Sequence, residues 1–455
     1  MSSTSDLIIA PKAPPMITAT AKSITFPRLR KSRNSFNINS SIRKFCDMIH
    51  ENFFWQNCRK LEAMMTQTFD AVIIGGGIMG CSAAFQLARR GLKVALLEKD
   101  TIGAGPTGQS SAIIRQHYSN ELTARMALHS LRVFQNFAEE VGGECGFTQT
   151  GFVMMVDAKD KAGLEANIAL QQRLGIQTEL LAPEAVREIV PGMETADLTA
   201  VAYEPESGYA DPYLTVTAYA QAARRHGAQI FQNSPVTGVR LRGGKVMGVD
   251  TAVDAFDAPL VLNCAGAWSG RIAQMVEQEL PVNACRVQVS FFRRPPQEAA
   301  PHPVVADFIH AVYFRSETGG LTLVGLIDPA EAEAIVDPDN FRTGLDDEFV
   351  LESGERLVAR YPAMEYSQVA GGYASLYTIT PDWHPIVDEL LPGSGLYTCS
   401  GFSGHGFKLG PAVGLILTDL VTGASDPLFD AGMFRYGRFA ENDPVRGQYE
   451  YSIVG

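Results

Sequence analysis

The chain has 455 residues, a net charge of −12, 46% hydrophobic residues and 19% charged residues. This composition predicts a globular protein of two or three domains with sizeable cores. The acidic balance argues against nucleic-acid binding as a main role, and no apolar run approaches the roughly 18 residues of a membrane span. The seven cysteines form no C-x-x-C pair and the histidines have no metal-ligand spacing, so we expect a reducing compartment and no metal site.

The first 65 residues differ in charge from the rest of the chain, with ten Lys and Arg against four Asp and Glu. Their basic, Ser-rich composition is typical of a transit peptide and also of a disordered tail. A third interpretation, which we favour, is that the working start is Met64 or Met65, just before the first apolar strand. In each case we expect residues 1–65 to lie outside the fold. The expected location is cytoplasmic, or mitochondrial if this extension is a transit peptide.

The most informative segment is DAVIIGGGIMGCSAAFQLARRGLKVALLE, residues 70–98. Its pattern predicts an apolar strand, a glycine-rich turn, a helix and a second apolar strand. These elements are expected at residues 71–74 for the first strand, 81–90 for the helix and 93–97 for the second strand. Such a βαβ unit predicts a parallel sheet of the Rossmann type.

Three glycines in the turn have G-x-G-x-x-G spacing. Gly75 permits the tight turn, Gly77 lets a pyrophosphate approach the backbone, and Gly80 lets helix and strand pack closely. Free N–H groups at the helix N-terminus suit the phosphates. Glu98 ends the second strand, where a carboxylate binds ribose hydroxyls and repels a 2′-phosphate, which argues against NADP. The sequence therefore predicts a bound ADP-containing dinucleotide; the alternative is a glycine-rich turn without a ligand.

The remaining chain alternates further helices and strands, and its nucleotide-binding pieces are discontinuous. The predicted elements are a strand at 151–156, helices at 160–175, 183–193 and 211–230, a hairpin turning at Gly243–Gly244, a buried strand and turn at 258–270, strands over 286–327, a helix at 346–362 and a strand, loop and helix at 395–423. We expect an α/β fold with a Rossmann-like domain and a second, mainly antiparallel β-sheet domain for substrate. The predicted domain boundaries are 66–145, 200–285 and 370–430 for the first domain, 146–199 and 286–369 for the second, and a C-terminal tail at 431–455.

Four later segments carry a family resemblance: TGQSSAIIRQHYS, NCAGAWS, YTITPDWHPIVD and GFSGHGFKLGPAVG. With the opening βαβ unit they resemble the amino-acid oxidase-like FAD-dependent amine oxidoreductases, the group of sarcosine oxidase, glycine oxidase and dimethylglycine dehydrogenase. The resemblance covers roughly residues 69–425. It implies FAD as cofactor instead of NAD, because the late glycine loop lies against the flavin ring in this family.

The resemblance also implies a substrate clamp. Arg115 in the IIR motif and Lys408 in GHGFK stand where sarcosine oxidase holds the substrate carboxylate, and a guanidinium fork suits that anion. Tyr118 is expected to form the pocket wall or to position Arg115. His405, between two glycines, is either a flavin contact or a hydrogen-bonding loop residue.

The expected cofactor-binding positions lie in the glycine turn, at the end of the second strand and in the loops that enclose the flavin. They are Gly75, Gly77, Gly80, Glu98, Lys99, Ser110, Ser111, Gly266, Gly401, Gly404 and Gly406.

Departures from the family pattern are equally informative. Ser375 stands where sarcosine oxidase has the cysteine that tethers FAD, and neither segment 103–114 nor segment 211–216 contains a tethering histidine. The sequence therefore predicts non-covalent FAD. Thr322 appears in place of the lysine that activates oxygen in sarcosine oxidase, which favours an electron acceptor other than O2.

The resulting hypothesis is an enzyme that dehydrogenates a small secondary or N-methylated amino acid to an imine, with O2 or another acceptor. One alternative is an FAD-dependent 2-hydroxy-acid dehydrogenase, which would need His117 or His405 as a base. The other is a non-catalytic flavoprotein that serves as an assembly factor or electron-relay subunit. The sequence leaves open a homo- or hetero-oligomer.

Overall fold

A computed structural model describes residues 66–298, 300–327, 334–425 and 427–446. The basic extension 1–65, with the expectation that it lies outside the fold, falls outside the described residues. The strands are β1 (Thr66–Thr68), β2 (Ala71–Ile74), β3 (Val94–Leu97), β4 (Ile113–Ile114), β5 (Thr148–Gln149), β6 (Phe152–Val156), β7 (Glu179–Leu181), β8 (Ala200–Glu204), β9 (Gly208–Tyr209), β10 (Gln229–Phe231), β11 (Val236–Arg242), β12 (Lys245–Thr251), β13 (Ala255–Asp257), β14 (Leu260–Asn263), β15 (Asn283–Arg293), β16 (Val304–Asp307), β17 (Val312–Glu317), β18 (Leu321–Leu326), β19 (Gln368–Ile379), β20 (Ile386–Glu389) and β21 (Leu396–Ser400). The helices are α1 (Ile78–Arg89), α2 (Glu121–Gln135), α3 (Phe137–Glu140), α4 (Lys161–Arg173), α5 (Val186–Ile189), α6 (Pro212–Arg225), α7 (Ser269–Gln274), α8 (Asp347–Arg360) and α9 (Gly406–Thr422).

The first sheet has six strands in the order β10-β3-β2-β14-β21-β20. Its first five strands run parallel, and β20 is antiparallel to β21. Strands β2 and β3 are buried along their whole length, as parallel strands covered by helices on both faces must be. Helix α1 packs against α6 and α9. The predicted βαβ unit is confirmed.

Helix α1 begins at Ile78, three residues before the predicted start at residue 81. The Ile78 N–H donates to Thr107 Oγ1 at 3.1 Å, so a loop residue far along the chain satisfies a free amide of the first turn. Local sequence could not show this contact. The helix predicted within 211–230, with Gly227 as its C-terminal cap, is observed as α6; Gly227, at φ +96°, follows its last turn and leads the chain into β10.

The second sheet has eight strands in the order β19-β15-β18-β17-β16-β6-β8-β7. Its pairings are antiparallel except that between β16 and β6. Helix α8 packs on β15, β17 and β18 through a core that includes Phe349 and Leu357. The expected α/β fold with a second, mainly antiparallel sheet is confirmed.

Sheet membership differs from the predicted boundaries at two strands. Strand β8 pairs with β6 and β7, and β19 runs along β15 from Asn283↔Ile379 to Arg293↔Gln368. Both strands therefore belong to the second sheet, although the sequence assigned 200–285 and 370–430 to the nucleotide domain. Alternation of apolar and polar residues shows that a segment is a strand but not which sheet it joins.

The first part of the expected C-terminal tail packs on the fold. Phe434 and Arg438 are fully buried. Arg438 donates to both carboxylate oxygens of Asp382 at 2.8 and 2.9 Å and to the His384 carbonyl at 2.8 Å, and Val445 N–H donates to Asp382 at 3.0 Å. A buried, paired arginine thus fixes the chain to the fold beyond residue 431.

The predicted hairpin is confirmed: β11 and β12 are antiparallel, with Arg242 opposite Lys245. Gly243 and Gly244 have φ of +58° and +76°, which the two-residue turn requires. Within the described ranges, no helix combines the length and the apolar character needed to cross a bilayer.

Candidate functional site

A cleft of about 520 Å³ opens at the carboxyl ends of β2 and β3 and extends to the second sheet. Ile74 and Leu97 line it from the first sheet, and Val289, Tyr313 and Ser375 line it from the second. Open α/β sheets bind ligands outside the carboxyl ends of their strands. The cleft is therefore where the sequence predicts the dinucleotide.

The turn glycines keep the backbone of the cleft accessible. Gly75 has φ +111°, and a Cβ there would lie 2.4 Å from the Cys264 carbonyl oxygen. A Cβ on Gly77 would lie 2.9 Å from Thr107 Oγ1. Gly80 does not line the cleft; a Cβ there would lie 1.9 Å from the Gly75 carbonyl oxygen, so its place is in helix packing.

Glu98 lines the cleft at the end of β3. One carboxylate oxygen accepts from Gly76 N–H at 2.6 Å and the other accepts from Asp100 N–H at 2.8 Å. Each oxygen has two lone pairs, so both retain capacity for ribose hydroxyls. The carboxylate thus fixes the glycine turn and fits the predicted ligand.

An acidic strap, residues 337–339, lies next to Lys99, and its Asp339 lines the cleft. Lys99 Nζ lies 3.0 Å from Asp339 Oδ1 and 3.5 Å from the centroid of the Trp268 ring. Trp268 Nε1 also donates to Asp339 at 2.7 Å, and Arg271 pairs with both Asp337 and Asp339. Burial raises the pKa of Asp339, but the hydrogen bonds from Lys99, Trp268 and Arg271 outweigh it and lower the pKa to about 2. No local motif predicted this contact.

The remaining expected cofactor positions all line the cleft, namely Ser110, Ser111, Gly266, Gly401, Gly404 and Gly406. A Cβ on Gly404 would lie 2.8 Å from the Tyr377 ring, so a side chain there would force the loop away from the cleft wall. Ser375, at the tether position, lines the same cleft and donates to Gln109 Oε1 at 3.0 Å.

Sequence reasoning missed Arg315, a buried cation on β17 that contacts the loop carrying Ser110 and Ser111. Its Nε donates to the Ser111 carbonyl at 2.6 Å, and its NH2 group lies 2.9 Å from Glu317. Its guanidinium lies 4.4 Å from the Tyr209 ring centroid. An arginine that directly follows the apolar residues VYF in a predicted strand was the signal that could have identified it.

The predicted position of Thr322 at the flavin is wrong. Thr322 is buried, and its hydroxyl lies 3.2 Å from His302 Nε2 and 3.4 Å from Arg294 NH1, outside the cleft lining. Leu323 pairs with Phe291 and Arg315. These two residues lie two positions along their strands from Val289 and Tyr313, which line the cleft. Because residues two apart share a face of the sheet, Leu323 faces the cleft side. A one-residue slip moves a side chain to the opposite face. Neither residue is a cation, so the lysine of the family pattern is absent in either register.

The predicted clamp residues come together in one buried cluster, formed by Arg115, Tyr118, His405 and Lys408. Tyr118 Oη lies 3.3 Å from His405 Nδ1, and the Arg115 guanidinium lies 4.6 Å from the Tyr118 ring centroid. The cluster does not itself line the cleft. Its chain neighbours Gly404, Gly406 and Phe407 do, which puts the cluster directly behind the cleft wall.

The cluster is rich in positive charge. Burial, and then the Arg115 charge, lower the pKa of Lys408 well below its usual value. Burial, followed by Lys408 and Arg115, similarly lowers the pKa of His405. Across the described part of the chain, Lys408 has no hydrogen-bond acceptor or ion-pair partner, and His405 Nε2 has no hydrogen-bond partner. Buried charges are costly unless paired, so the arrangement suits an anionic ligand.

A second polar group lies behind Arg115. His117 Nδ1 is 3.9 Å from Glu204 Oε1, and its Nε2 is 3.4 Å from Asn167 Nδ2, which also donates to Ser119 Oγ at 3.2 Å. Burial, and then Arg115, lower the pKa of His117 to about 3. The sequence had offered His117 only as an alternative base and had missed Glu204.

The residues present fit a flavin dinucleotide: a glycine backbone at a helix N-terminus, a carboxylate at the end of β3 and a glycine loop at the far wall. In the ranges that the structure describes, no group of His, Cys, Asp and Glu residues is arranged to hold a metal ion.

Comparisons with known proteins identify the family. A family model described as FAD dependent oxidoreductase matches residues 70–420. Human mitochondrial sarcosine dehydrogenase is 28% identical over 362 residues, which cover 77% of this chain and 39% of that protein. Sarcosine oxidase subunit beta of Rhodobacter capsulatus is 24% identical over 389 residues, 83% of this chain and 92% of that protein.

Among solved structures, L-proline dehydrogenase from P. horikoshii matches with a TM-score of 0.77 and 27% identity, covering 84% of this chain and all of that one. The chain spans about two-fifths of the length of the sarcosine dehydrogenases that it matches. Because the family model covers most of the chain, the protein belongs to the FAD dependent oxidoreductase family.

Proposed function

We propose that this protein dehydrogenates a small secondary or N-methylated amino acid to an imine, which water then hydrolyses. FAD, when bound, supplies the hydride acceptor for this chemistry. The relatives named for sarcosine and for L-proline support this substrate class, since both compounds are secondary amino acids.

The observation that carries the proposal is the buried pair Arg115 and Lys408. The pair would hold the substrate carboxylate, because Arg115 offers a planar fork of donors and Lys408 has no acceptor among the described residues. Fixing the carboxylate at this depth orients the carbon that loses hydride toward the cleft. Tyr118 packs under the guanidinium and limits its movement.

The chain would hold the cofactor through the residues of the cleft. The α1 N-terminus, with Gly75 and Gly77, would bind the pyrophosphate, and Glu98 would bind the ribose. Ser375 offers no thiol for a tether, so FAD should be bound non-covalently. Acid precipitation of the holoenzyme should release all the yellow colour into the supernatant; colour that stays in the pellet would contradict non-covalent binding.

The weak basicity of His117 and His405 favours an amine over a 2-hydroxy acid as substrate. A hydroxy acid needs a base for its hydroxyl proton, but the lowered pKa values of His117 and His405 make both imidazoles weak bases. An amine is protonated in neutral solution but can release that proton to water, and the neutral amine then needs only a correctly oriented C–H bond, because hydride loss leaves an iminium ion. The electrostatics therefore support the amino-acid proposal.

The test is an anaerobic screen of the holoenzyme in which loss of flavin absorbance reports reduction. Sarcosine or L-proline should bleach the flavin, and L-lactate should not. Bleaching by lactate alone would instead support the hydroxy-acid alternative. Absence of bleaching by every amino acid, together with copurifying partner proteins, would support the assembly or relay alternative.

The same preparation tests the electron acceptor. Neither Thr322 nor Leu323 supplies a cation at the position of the family's lysine. The nearby Arg315 guanidinium is held by the Ser111 and Ser316 carbonyls and by Glu317, so these residues offer no unpaired cation to stabilise a superoxide-like species. We therefore expect the reduced enzyme to transfer electrons to an artificial dye faster than to O2, and stopped-flow reoxidation measures both rates.

A further inference from the structure

Glu204 is a buried carboxylate for which the proposed reaction has no use. It ends β8 and is fully buried. Its Oε2 accepts from Gln116 N–H at 2.8 Å and from Ser207 Oγ at 2.6 Å. For Oε1 the described residues provide no hydrogen-bond donor. A buried carboxylate with one oxygen unsatisfied is expensive, which indicates a role beyond packing.

The position of Glu204 relates it to Arg115. The Gln116 amide that Glu204 accepts from belongs to the residue after Arg115, and Arg115 itself donates to the His117 carbonyl. Glu204 and Arg115 therefore hold the same short loop. Burial raises the pKa of Glu204 to about 6, although the bonds from Ser207 and Gln116 and the charge of Arg115 act to lower it.

We propose that Glu204 is the buried counter-charge of Arg115, and that the substrate carboxylate replaces it in this role while Glu204 takes up a proton from solvent. The proposal rests on the carboxylate clamp of the proposed function. In the empty site the anionic Glu204 partly neutralises the guanidinium. A substrate carboxylate brings a second anion to the same cation, and protonation of Glu204 restores the balance of charge. Glu204 is thus a positioning residue that sets the affinity for anions.

The linkage has a definite sign. Since a bound anion favours protonated Glu204, a proton on Glu204 must favour the bound anion to the same extent. Affinity for a carboxylate should therefore fall as pH rises from about 6, by at most tenfold per pH unit, until Glu204 is ionised in both states.

Other titratable groups near Glu204 and Arg115 change their protonation in other pH ranges or independently of Glu204. His117 has a pKa lowered to about 3 and Tyr118 one raised to about 12, so neither titrates near pH 6. His405 and Lys408 face Arg115 from α9, and their pKa values are lowered by burial first. Lys408 could add its own loss of affinity at higher pH, but that contribution would persist when Glu204 is replaced.

The experiment measures acetate binding to the oxidised holoenzyme by the change in flavin absorbance between pH 5.5 and 9. Acetate has a carboxylate but no amine, so it does not titrate in this range. For the wild type we expect the dissociation constant to rise with pH from about 6. Glu204→Gln should bind acetate at least tenfold more tightly than the wild type at pH 8 and should lose this pH dependence.

Two further variants keep the test decisive. Ser207→Ala removes a hydrogen bond to ionised Glu204, so the midpoint of the pH dependence should move to higher pH. Because this variant retains the Glu204 carboxylate, it can test the proposal even if Glu204→Gln does not fold. Glu206→Gln, a less buried neighbour on the same turn, should leave the midpoint unchanged. A structural role alone would lower stability without moving this midpoint.

The outcomes separate this inference from the clamp. If acetate binding depends on Arg115 but the Glu204→Gln and Ser207→Ala variants keep the pH profile of the wild type, the counter-charge role of Glu204 is wrong and the clamp stands. If acetate binds equally well to Arg115→Ala, the clamp is wrong and the inference fails with it.

Discussion

The cofactor cleft and the clamp cluster behind it are built on opposite principles. The glycine turn of the cleft relies on exposed backbone, since a Cβ would lie 2.4 Å from a neighbouring atom at Gly75 and 2.9 Å from one at Gly77. The clamp is formed by two buried cationic side chains, Arg115 and Lys408. The cleft therefore depends on shape and the clamp on electrostatics, and the two should respond differently to substitution.

The largest expected effect is on the shape of the cleft. Gly80→Ala places a methyl group against the Gly75 carbonyl, a backbone atom that can move only if α1 shifts. Overpacking typically costs about 1–3 kcal/mol and occasionally more, and here it distorts the phosphate turn. We expect loss of bound FAD, measured as flavin absorbance per protein, and a lower Tm. Gly270→Ala on α7, whose nearest contact is 3.8 Å, is the matched control and should retain both.

The next effect is on the clamp. Arg115→Ala should slow the reduction of the flavin by sarcosine or L-proline. By analogy with truncation of a buried charge pair, the loss of transition-state stabilisation should be about 2–5 kcal/mol. Arg115→Lys keeps the charge but loses the fork, so it should fall between Ala and wild type. FAD occupancy should stay normal in both. A reduction rate unchanged in both Arg115→Ala and Lys408→Ala would contradict the clamp.

Lys408 should show that the clamp costs stability. Lys408→Met removes a buried amino group and should stabilise the holoenzyme by about 1–4 kcal/mol, the range for replacing buried ion pairs with apolar side chains. Because the pKa of Lys408 is lowered in the fold, the unfolded chain binds more protons, so wild-type stability should rise with pH toward Lys408's unfolded pKa. The variant should lack this contribution. Thermal unfolding at several pH values measures both, and a less stable variant would argue against an unpaired charge.

The smallest effect concerns the acidic strap. Asp339→Asn weakens the contacts with Lys99 and Arg271. The Asp339 side chain is 48% exposed, and exposed ion pairs stabilise a structure by only about 0.2–1 kcal/mol. We expect FAD to dissociate about two- to fivefold faster, and less so at high salt. Asp443→Asn removes an exposed pair with Arg435 and should leave the rate unchanged. An equal effect of both variants would show that the strap does not retain the cofactor.

The sequence predicted the cleft far better than its surroundings, for a physical reason. The βαβ turn is local: its glycines, helix and Glu98 lie within 29 residues, so their spacing alone specifies the geometry. The family motifs also led to Arg115 and Lys408, but spacing could not show that they meet or that Lys408 lacks an acceptor. That information depends on packing between segments far apart in the chain.

What the sequence missed is consistently non-local. Thr107 caps α1 from another loop, Asp339 pairs with Lys99 at the cleft, and Glu204 approaches the Arg115 loop from β8. The error at Thr322 has a related origin, because the strand was recognised but its face was set by pairing with β15 and β17. Local patterns give elements, whereas register and partners come from the tertiary fold.

The most direct test of the central claim compares each amino acid with its decarboxylated analogue in anaerobic stopped-flow. Sarcosine should be compared with dimethylamine, and L-proline with pyrrolidine, with flavin absorbance as the readout. If the clamp orients a carboxylate-bearing secondary amine, at least one amino acid should reduce the flavin and its amine analogue should not, and Arg115→Ala should abolish most of that difference. Equal reduction by an amine and its parent amino acid would contradict the account.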